Sequence, residues 1–272
     1  MNIRTIAATR GAEFLKAVWR SPLLREAVKT ILVVVAVVFG VRTLLFQPFR
    51  IPSGSMENTL LVGDYIIVSK YSYGYSTYSI QIPFLPPPDL FSGRLLGTGP
   101  DRGDVVVFAY PKDPSVSYIK RVVGLPGDRI RMAGGVLYIN DLPAKQSRVE
   151  DYVETLEDGT THAVPRYKET LEGGREHEIL DRFANSMTDD TQEFTVPAGH
   201  YFMMGDNRDN SNDSRVAGSG VGFVPAENII GRAEFILSSW SCSDDWQCAT
   251  RLAEVWTWPW TLRSERILHS IN

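Results

Sequence analysis

The amino-acid sequence predicts a mainly β protein that follows one N-terminal membrane helix. Its 16 prolines and 22 glycines separate many short Val, Ile, Tyr and Phe runs after residue 60, a pattern typical of strands joined by turns. The long apolar run lies before residue 47. The 272 residues, 43% of them hydrophobic, suffice for an anchor and a sizeable core. A net charge of −4, without a strongly basic block after residue 30, argues against a nucleic-acid partner.

The N-terminal segment predicts a membrane anchor with a defined orientation. Residues 1–29 carry six basic and two acidic side chains, and the apolar run Thr30–Phe46 is near the lower length limit for a spanning helix. Arg42 can extend its charge to the membrane interface. No Ala-x-Ala-like site follows, so we predict an uncleaved signal-anchor rather than a cleaved secretory signal. The basic flank places the N-terminus in the cytoplasm and everything after Phe46 outside.

The segment 47–60 carries the first candidate chemistry. Pro48 and Pro52 favour an extended backbone. In an extended Ser53-Gly54-Ser55 the two hydroxyls share one face, and Gly54 lets another backbone approach closely. This pattern indicates a nucleophile beside an oxyanion donor, whereas the alternative is a polar turn after an anchor.

A lysine in a later strand is the candidate base. After a turn at Gly63-Asp64 and an apolar strand, residues 71–100 predict a long exposed loop, and strands follow at 105–110 and 116–123. Strand alternation places Lys120 among large apolar neighbours. Desolvation there would lower its pKa and make a neutral amine available. The alternative is an edge lysine with its ammonium in water.

The loop 205–215, rich in Asp, Asn and Ser, predicts a hydrogen-bonded structure tied by Asp/Arg pairs. A calcium-binding EF-hand read from Asp209 fails, because Ser214 and Gly220 occupy the positions that need Gly and Glu. Between residues 144 and 193 the chain is more charged and predicts an insertion or small cap. Its histidines, His162 and His177, lack metal-ligand spacing and are expected at the surface.

After a final strand at 231–237, the tail contains five tryptophans and both cysteines of the chain. The tryptophans, at positions 240, 246, 256, 258 and 260, indicate a tail that seeks an interface or packs on itself. The spacing of Cys242 and Cys248 argues against zinc, and leaves open a local disulfide or two thiols.

Four segments together, 52–60, 63–64, 118–128 and 205–215, closely resemble bacterial type I signal peptidases (leader peptidases) of the single-span form. The resemblance covers residues 43–237. It implies a catalytic domain of two antiparallel β-sheets with an inserted cap. The expected organisation is a basic cytoplasmic segment 1–29, an anchor 30–46, a catalytic β core 47–129 and 198–240, an inserted cap 130–197, and a Trp-rich tail 241–272.

The resemblance also implies a mechanism without metal or cofactor. Ser55 would be the nucleophile and Lys120 the general base, with Ser53 and the Ser55 N–H as oxyanion donors. Ser211 would orient Lys120. The structural support of the site would come from Asp206, Arg208, Asp213 and Arg215, and substrate would contact Met56 and Ile119. Asn58 departs from the family pattern, since many members have proline there.

The implied substrates are secreted precursors with small residues at the first and third positions before the cut, bound as an added strand. Membrane lipid is an implied partner and the secretion translocon a further candidate, at the cell inner (cytoplasmic) membrane with the catalytic domain periplasmic or extracytoplasmic. Two alternatives remain. One is a self-cleaving Ser/Lys protease of the repressor type, although no DNA-binding helix pair precedes the β region. The other is a membrane-tethered β-domain that binds precursors without cutting them.

Overall fold

A computed structural model describes residues 21–81, 93–155, 160–241 and 261–271. The chain divides into two compact units, Met1–Thr43 and Leu44–Asn272. Within the described residues, the first unit consists of a helix that extends one residue into the second. The second unit carries the strands, and the two are described separately.

The helix, α1, spans Pro22–Leu44 and has the length and composition of a membrane span. Its most apolar 18-residue stretch has a mean hydropathy of 2.1, and only 6% of that stretch is buried within the protein. The predicted run, 30–46, is offset from it. The helix begins earlier because proline suits a first helical position and good helix formers follow. It ends earlier because Phe46 already belongs to a strand.

Eighteen strands are present among the described residues. Numbered in chain order, they are β1 Phe46–Arg50, β2 Asp64–Ser69, β3 Tyr75–Ser76, β4 Arg94–Leu95, β5 Val105–Tyr110, β6 Asp113–Gly124, β7 Arg129–Ala133, β8 Val136–Ile139, β9 Leu142–Pro143, β10 Lys145–Arg148, β11 Tyr152–Thr155, β12 Thr161–Val164, β13 Arg166–Thr170, β14 Glu176–Leu180, β15 Phe194–Thr195, β16 His200–Met204, β17 Val224–Pro225 and β18 Ile229–Ser239. Mainly β structure after one N-terminal apolar helix was predicted, and it is confirmed.

The largest sheet has seven strands in the order β1-β2-β18-β5-β6-β16-β17. Its strands pair antiparallel. Side-chain alternation along β5 buries both faces: Val105 and Val107 belong to one apolar cluster, which also holds Met56, whereas Val106 and Phe108 belong to another. A sheet packed on both faces gives functional groups at its strand ends a rigid support.

The segment 130–197, expected as an inserted cap, forms smaller sheets. One has the order β15-β7-β8-β9, another β10-β13-β14, and β11 pairs with β12. The resemblance implied two sheets, whereas five occur among the described residues, the fifth being β3-β4. The segment is not a separate unit, because Ile130 and Leu137 share an apolar cluster with Val123, Phe202 and Met204 of the large sheet.

The structure corrects two expectations about surface segments. In the described parts of 71–100, residues 95–99 are exposed as expected, but Tyr73 is buried, and Arg94 donates hydrogen bonds to the carbonyls of Tyr73, Gly74 and Ala226. His177 is only 6% exposed, because β14 turns it toward the buried carboxylate of Glu169.

The C-terminal residues 261–271 pack back on the large sheet. Ser270 bridges to Phe235 and Leu262 to Trp240, whose ring packs edge-on against Tyr65. The tail therefore packs on the protein in its described part. Both cysteines and the other four tryptophans of the tail lie outside the described residues.

Candidate active site

Ser55 lies in a tight turn that follows β1 after three intervening residues. The backbone at Ser53 is extended (φ −136°, ψ 152°), as predicted, but Gly54–Met56 forms a single 3-10 turn. The expectation of an extended chain through Ser55 is therefore wrong. The chain turns inward because Met56 is completely buried in the core and the Glu57 N–H bonds to the Gly54 carbonyl at 3.0 Å.

Lys120 reaches Ser55 from the middle of the sheet. It lies on β6, which β5 holds in register, and only 2% of its surface is exposed. Its Nζ lies 2.5 Å from Ser55 Oγ, and it donates to the Ile119 carbonyl at 2.9 Å. Two residues 65 positions apart therefore form one hydrogen-bonded pair.

Burial makes this lysine a base. It lowers the pKa of Lys120 from 10.5 to about 8, against the opposing effect of Asp213 and Asp206 and with a further lowering by Arg215. A neutral amine is thus accessible near neutral pH, as general-base catalysis requires.

The loop 205–215 supports the pair through an internal ion pair. Asp213 accepts two hydrogen bonds from the Arg215 guanidinium at 2.8 and 3.0 Å, and one from the Gly205 N–H at 3.0 Å. Burial would raise the pKa of Asp213, but Arg215 and the hydrogen bonds hold it below its ordinary value. The carboxylate therefore stays charged beside Lys120.

Ser211 lies at this site without bonding to Lys120. Its hydroxyl is buried against Gly205 and has a minor lowering effect on the pKa of Asp213, yet it makes no hydrogen bond of regular geometry within the described residues. The expected contact from Ser211 to Lys120 is thus not formed in this structure, although both line the same cleft.

Two further buried ion pairs brace the site. Asp206 accepts from Arg121 at 2.7 and 2.8 Å and from the Thr59 hydroxyl at 2.6 Å. Arg208 pairs with Glu169. The partners Arg121 and Glu169 were missed at the sequence level.

A cleft of about 630 Å³ opens beside the Ser55–Lys120 pair. Its walls come from residues in 52–55, 116–120 and 209–212. Ser53 lies exposed at its edge, and Ile119 lines it. Met56 does not line it and is buried beneath the turn, so a direct substrate contact by Met56 has no support in the structure.

The described residues contain one group of side chains spaced to share a cation. Carboxylate oxygens of Asp181, Asp189 and Asp209 lie within 4.8 Å of one another. Burial, together with Asp209 and Asp189, raises the pKa of Asp181 to about 6. Asp209 lines the same cleft as Ser55 and Lys120, but none of the three acids is hydrogen-bonded to either residue in the described part of the chain.

Comparison with known proteins gives a consistent result. A family model described as signal peptidase, peptidase S26, matches residues 24–240. The chain is 45% identical over 210 residues to signal peptidase I of Rickettsia typhi, covering 75% of this chain and 76% of that protein. Signal peptidase I of Rickettsia canadensis is 43% identical over 215 residues, covering 76% and 77%.

Among solved structures, signal peptidase I of Enterococcus faecalis V583 matches 50% of this chain and 97% of its own, at 26% identity and a TM-score of 0.30. The family model and the Rickettsia relatives carry the assignment. The chain belongs to the signal peptidase family, peptidase S26.

Proposed function

We propose that this serine endopeptidase, which removes signal peptides from secreted precursors, uses Ser55 as nucleophile and Lys120 as general base. The observation that carries this proposal is the 2.5 Å contact between Lys120 Nζ and Ser55 Oγ in a buried site. The lowered pKa of Lys120, about 8, supplies the neutral amine that the reaction needs.

The chemistry follows from this geometry in two steps. Neutral Lys120 takes the Ser55 proton as Oγ attacks the scissile carbonyl, and the resulting ammonium protonates the leaving amine when the peptide bond breaks. The signal peptide is then an ester of Ser55. Lys120, neutral again, activates a water that hydrolyses this ester and regenerates the serine.

The developing oxyanion requires donors at the edge of the cleft. Ser53, extended and exposed there, and the Ser55 N–H are the groups we assign to it. Ser211, with its buried hydroxyl lacking a regular partner, is a candidate to orient Lys120 once substrate fills the cleft. Asp213 and Arg215 keep that loop in place, with Asp206 and Arg208 beside them.

The cleft suits an extended substrate. Among the described strands, residues 117–119 of β6 pair only with β5, since β16 joins β6 at Arg121 and beyond. Their other edge borders the cleft, so a precursor segment can add there as a strand. The position of Ile119 in the wall favours small side chains next to the cut, in agreement with small residues at the first and third positions before it.

The apolar helix α1 supports a location of this reaction at the cell inner (cytoplasmic) membrane. The basic residues before it favour a cytoplasmic N-terminus, which leaves the catalytic domain periplasmic or extracytoplasmic, where signal peptides emerge. The exposed apolar side chains of α1 would contact lipid. The secretion translocon, which delivers precursors, is a further partner that this location favours.

Cleavage of one purified precursor in detergent tests the proposal. Wild-type protein should release a mature product whose mass places the cut after a small residue, and Ser55→Ala should release none. A large side chain introduced at the first or third position before the cut should block release. Cleavage that persists in Ser55→Ala, or that ignores these residues, would reject the proposal.

A further inference from the structure

The turn that presents Ser55 has little internal support. It is one 3-10 turn of three residues with no side-chain hydrogen bond from Ser53 capping it. Short 3-10 turns have poor hydrogen-bond geometry, so contacts from elsewhere must hold the serine in place. The distance from Ser55 Oγ to Lys120 depends on those contacts.

Asn207 supplies three of them from a fully buried position. Its backbone N–H donates to the Ser55 carbonyl at 3.2 Å. Its side-chain Nδ2 donates to the Gly54 carbonyl at 3.0 Å and to Glu57 Oε2 at 3.1 Å. One side chain thus joins the two ends of the turn. This arrangement requires the amide to keep Nδ2, rather than Oδ1, directed at the turn.

Arg182, which follows β14 in the inserted segment, fixes that orientation. Its Nε donates to Asn207 Oδ1 at 3.2 Å, and its Nη2 donates to Glu57 Oε2 at 3.0 Å. A guanidinium has hydrogen-bond donors but no acceptor. If the Asn207 amide were flipped, its NH2 group would face the Arg182 guanidinium and no hydrogen bond could form between them. The planar fork therefore selects one amide orientation and holds the Glu57 carboxylate over the turn at the same time.

The Arg182 guanidinium is itself held in place and largely buried. Glu154 of β11 accepts from both of its Nη atoms. Asp209 accepts from the Arg182 and Phe183 backbone N–H groups at 2.6 and 2.9 Å. The side chains of Arg182 and Glu57 are 15% and 18% exposed. Burial and Glu154 raise the pKa of Glu57, whereas Arg182 lowers it.

We propose that Arg182 is a positioning residue for the nucleophile, acting through Asn207 and Glu57 on the turn that carries Ser55. The inserted segment therefore contributes to the reaction rate without touching substrate. This inference rests on the proposed role of Ser55 and Lys120. It assigns a function to an arginine outside the four segments of the family resemblance.

Single-turnover cleavage of one precursor tests it, with precursor affinity and the thermal unfolding midpoint measured separately. Arg182→Gln should lower the rate of the chemical step about 10- to 100-fold, as expected for a small displacement of a catalytic group. Affinity and the pH midpoint of the rate should not change, because Arg182 does not line the cleft and Lys120 is not altered. Arg182→Lys should recover part of the loss, since it keeps the charge but not the fork.

Two controls separate positioning from general damage. Arg129→Gln, one residue before the inserted segment, removes an exposed ion pair with Asp141 of that segment and should leave the rate unchanged. The double variant Glu57→Gln/Arg182→Gln should lower the single-turnover rate by less than the product of the two single-variant factors, because both residues act on one turn. If Arg182→Gln does not fold, Arg182→Lys and Glu57→Gln carry the same test.

The proposal is overturned if folded Arg182→Gln cleaves at the wild-type single-turnover rate, or if its loss lies only in affinity or in the folded fraction. Ser55→Ala is measured beside it. Cleavage by Ser55→Ala would instead reject the proposed function, whatever Arg182→Gln does.

Discussion

Replacing Lys120 with methionine should abolish cleavage and stabilise the folded protein near neutral pH. The wild type places an ammonium at a position only 2% exposed, and burial lowers its pKa from 10.5 to about 8. Between these two pH values the unfolded chain binds the proton and the folded protein does not. The free energy of unfolding therefore rises with pH through this interval. Below about pH 8 the folded protein carries the whole cost of burying the Lys120 ammonium.

The magnitude follows from the two pKa values. A difference of about 2.5 corresponds to about 3 kcal/mol at pH 7, and to about 1 kcal/mol at pH 10. Methionine fills a similar volume but gives up the hydrogen bonds to Ser55 and the Ile119 carbonyl, a loss of about 1 kcal/mol. Lys120→Met should thus be about 2 kcal/mol more stable than wild type at pH 7 and about equal to it at pH 10.

Urea unfolding of both proteins across this pH range measures the difference. Lys145→Met, which removes an exposed lysine on β10, serves as the matched control and should show no such gain. The reasoning is refuted if Lys120→Met is less stable than wild type at pH 7. A stability difference that stays constant from pH 7 to pH 10 would refute it equally.

Four other results are expected. Ser53→Ala should lower the single-turnover rate about 100- to 1000-fold and Ser53→Thr should keep most of it, whereas a change in affinity alone would exclude the oxyanion role. Arg121→Met leaves Asp206 as an uncompensated buried charge and should cost about 3–5 kcal/mol in urea unfolding; a smaller loss would mean that water reaches the carboxylate. Removing residues 22–44 should release the protein from membranes in sedimentation assays but preserve cleavage of a short peptide. The single-turnover rate should rise with pH around a midpoint of about 8, the pKa of Lys120, and a flat profile would contradict a lysine base.

The sequence predicted much of the site because its signals are local. The prolines, the glycine and the hydroxyl side chains around Ser55 indicate an extended, polar segment. The apolar residues around Lys120 indicate a buried strand. The family resemblance brings them together. The Asp213–Arg215 ion pair was also accessible, since its partners are two residues apart in a loop too polar to be core.

What the sequence missed depends on long-range pairing. Arg182 and Glu57 are 125 positions apart and neither lies in a recognisable pattern. His177 was predicted at the surface because its neighbours in the sequence do not show that it pairs with the buried Glu169 on the adjacent strand. The 3-10 turn at Gly54–Met56 was missed for a related reason, since burial of Met56 in the core overrides the extended preference set by Pro52.

A double-mutant cycle on Ser55 and Lys120 tests the central claim most directly. Single-turnover cleavage is measured for Ser55→Ala, Lys120→Ala and the double variant, each shown to be folded. If the two residues act as one nucleophile–base pair, each single variant should lose nearly all activity and the double variant should be no slower than either. Losses that multiply in the double variant, or turnover that survives in Lys120→Ala, would contradict the dyad.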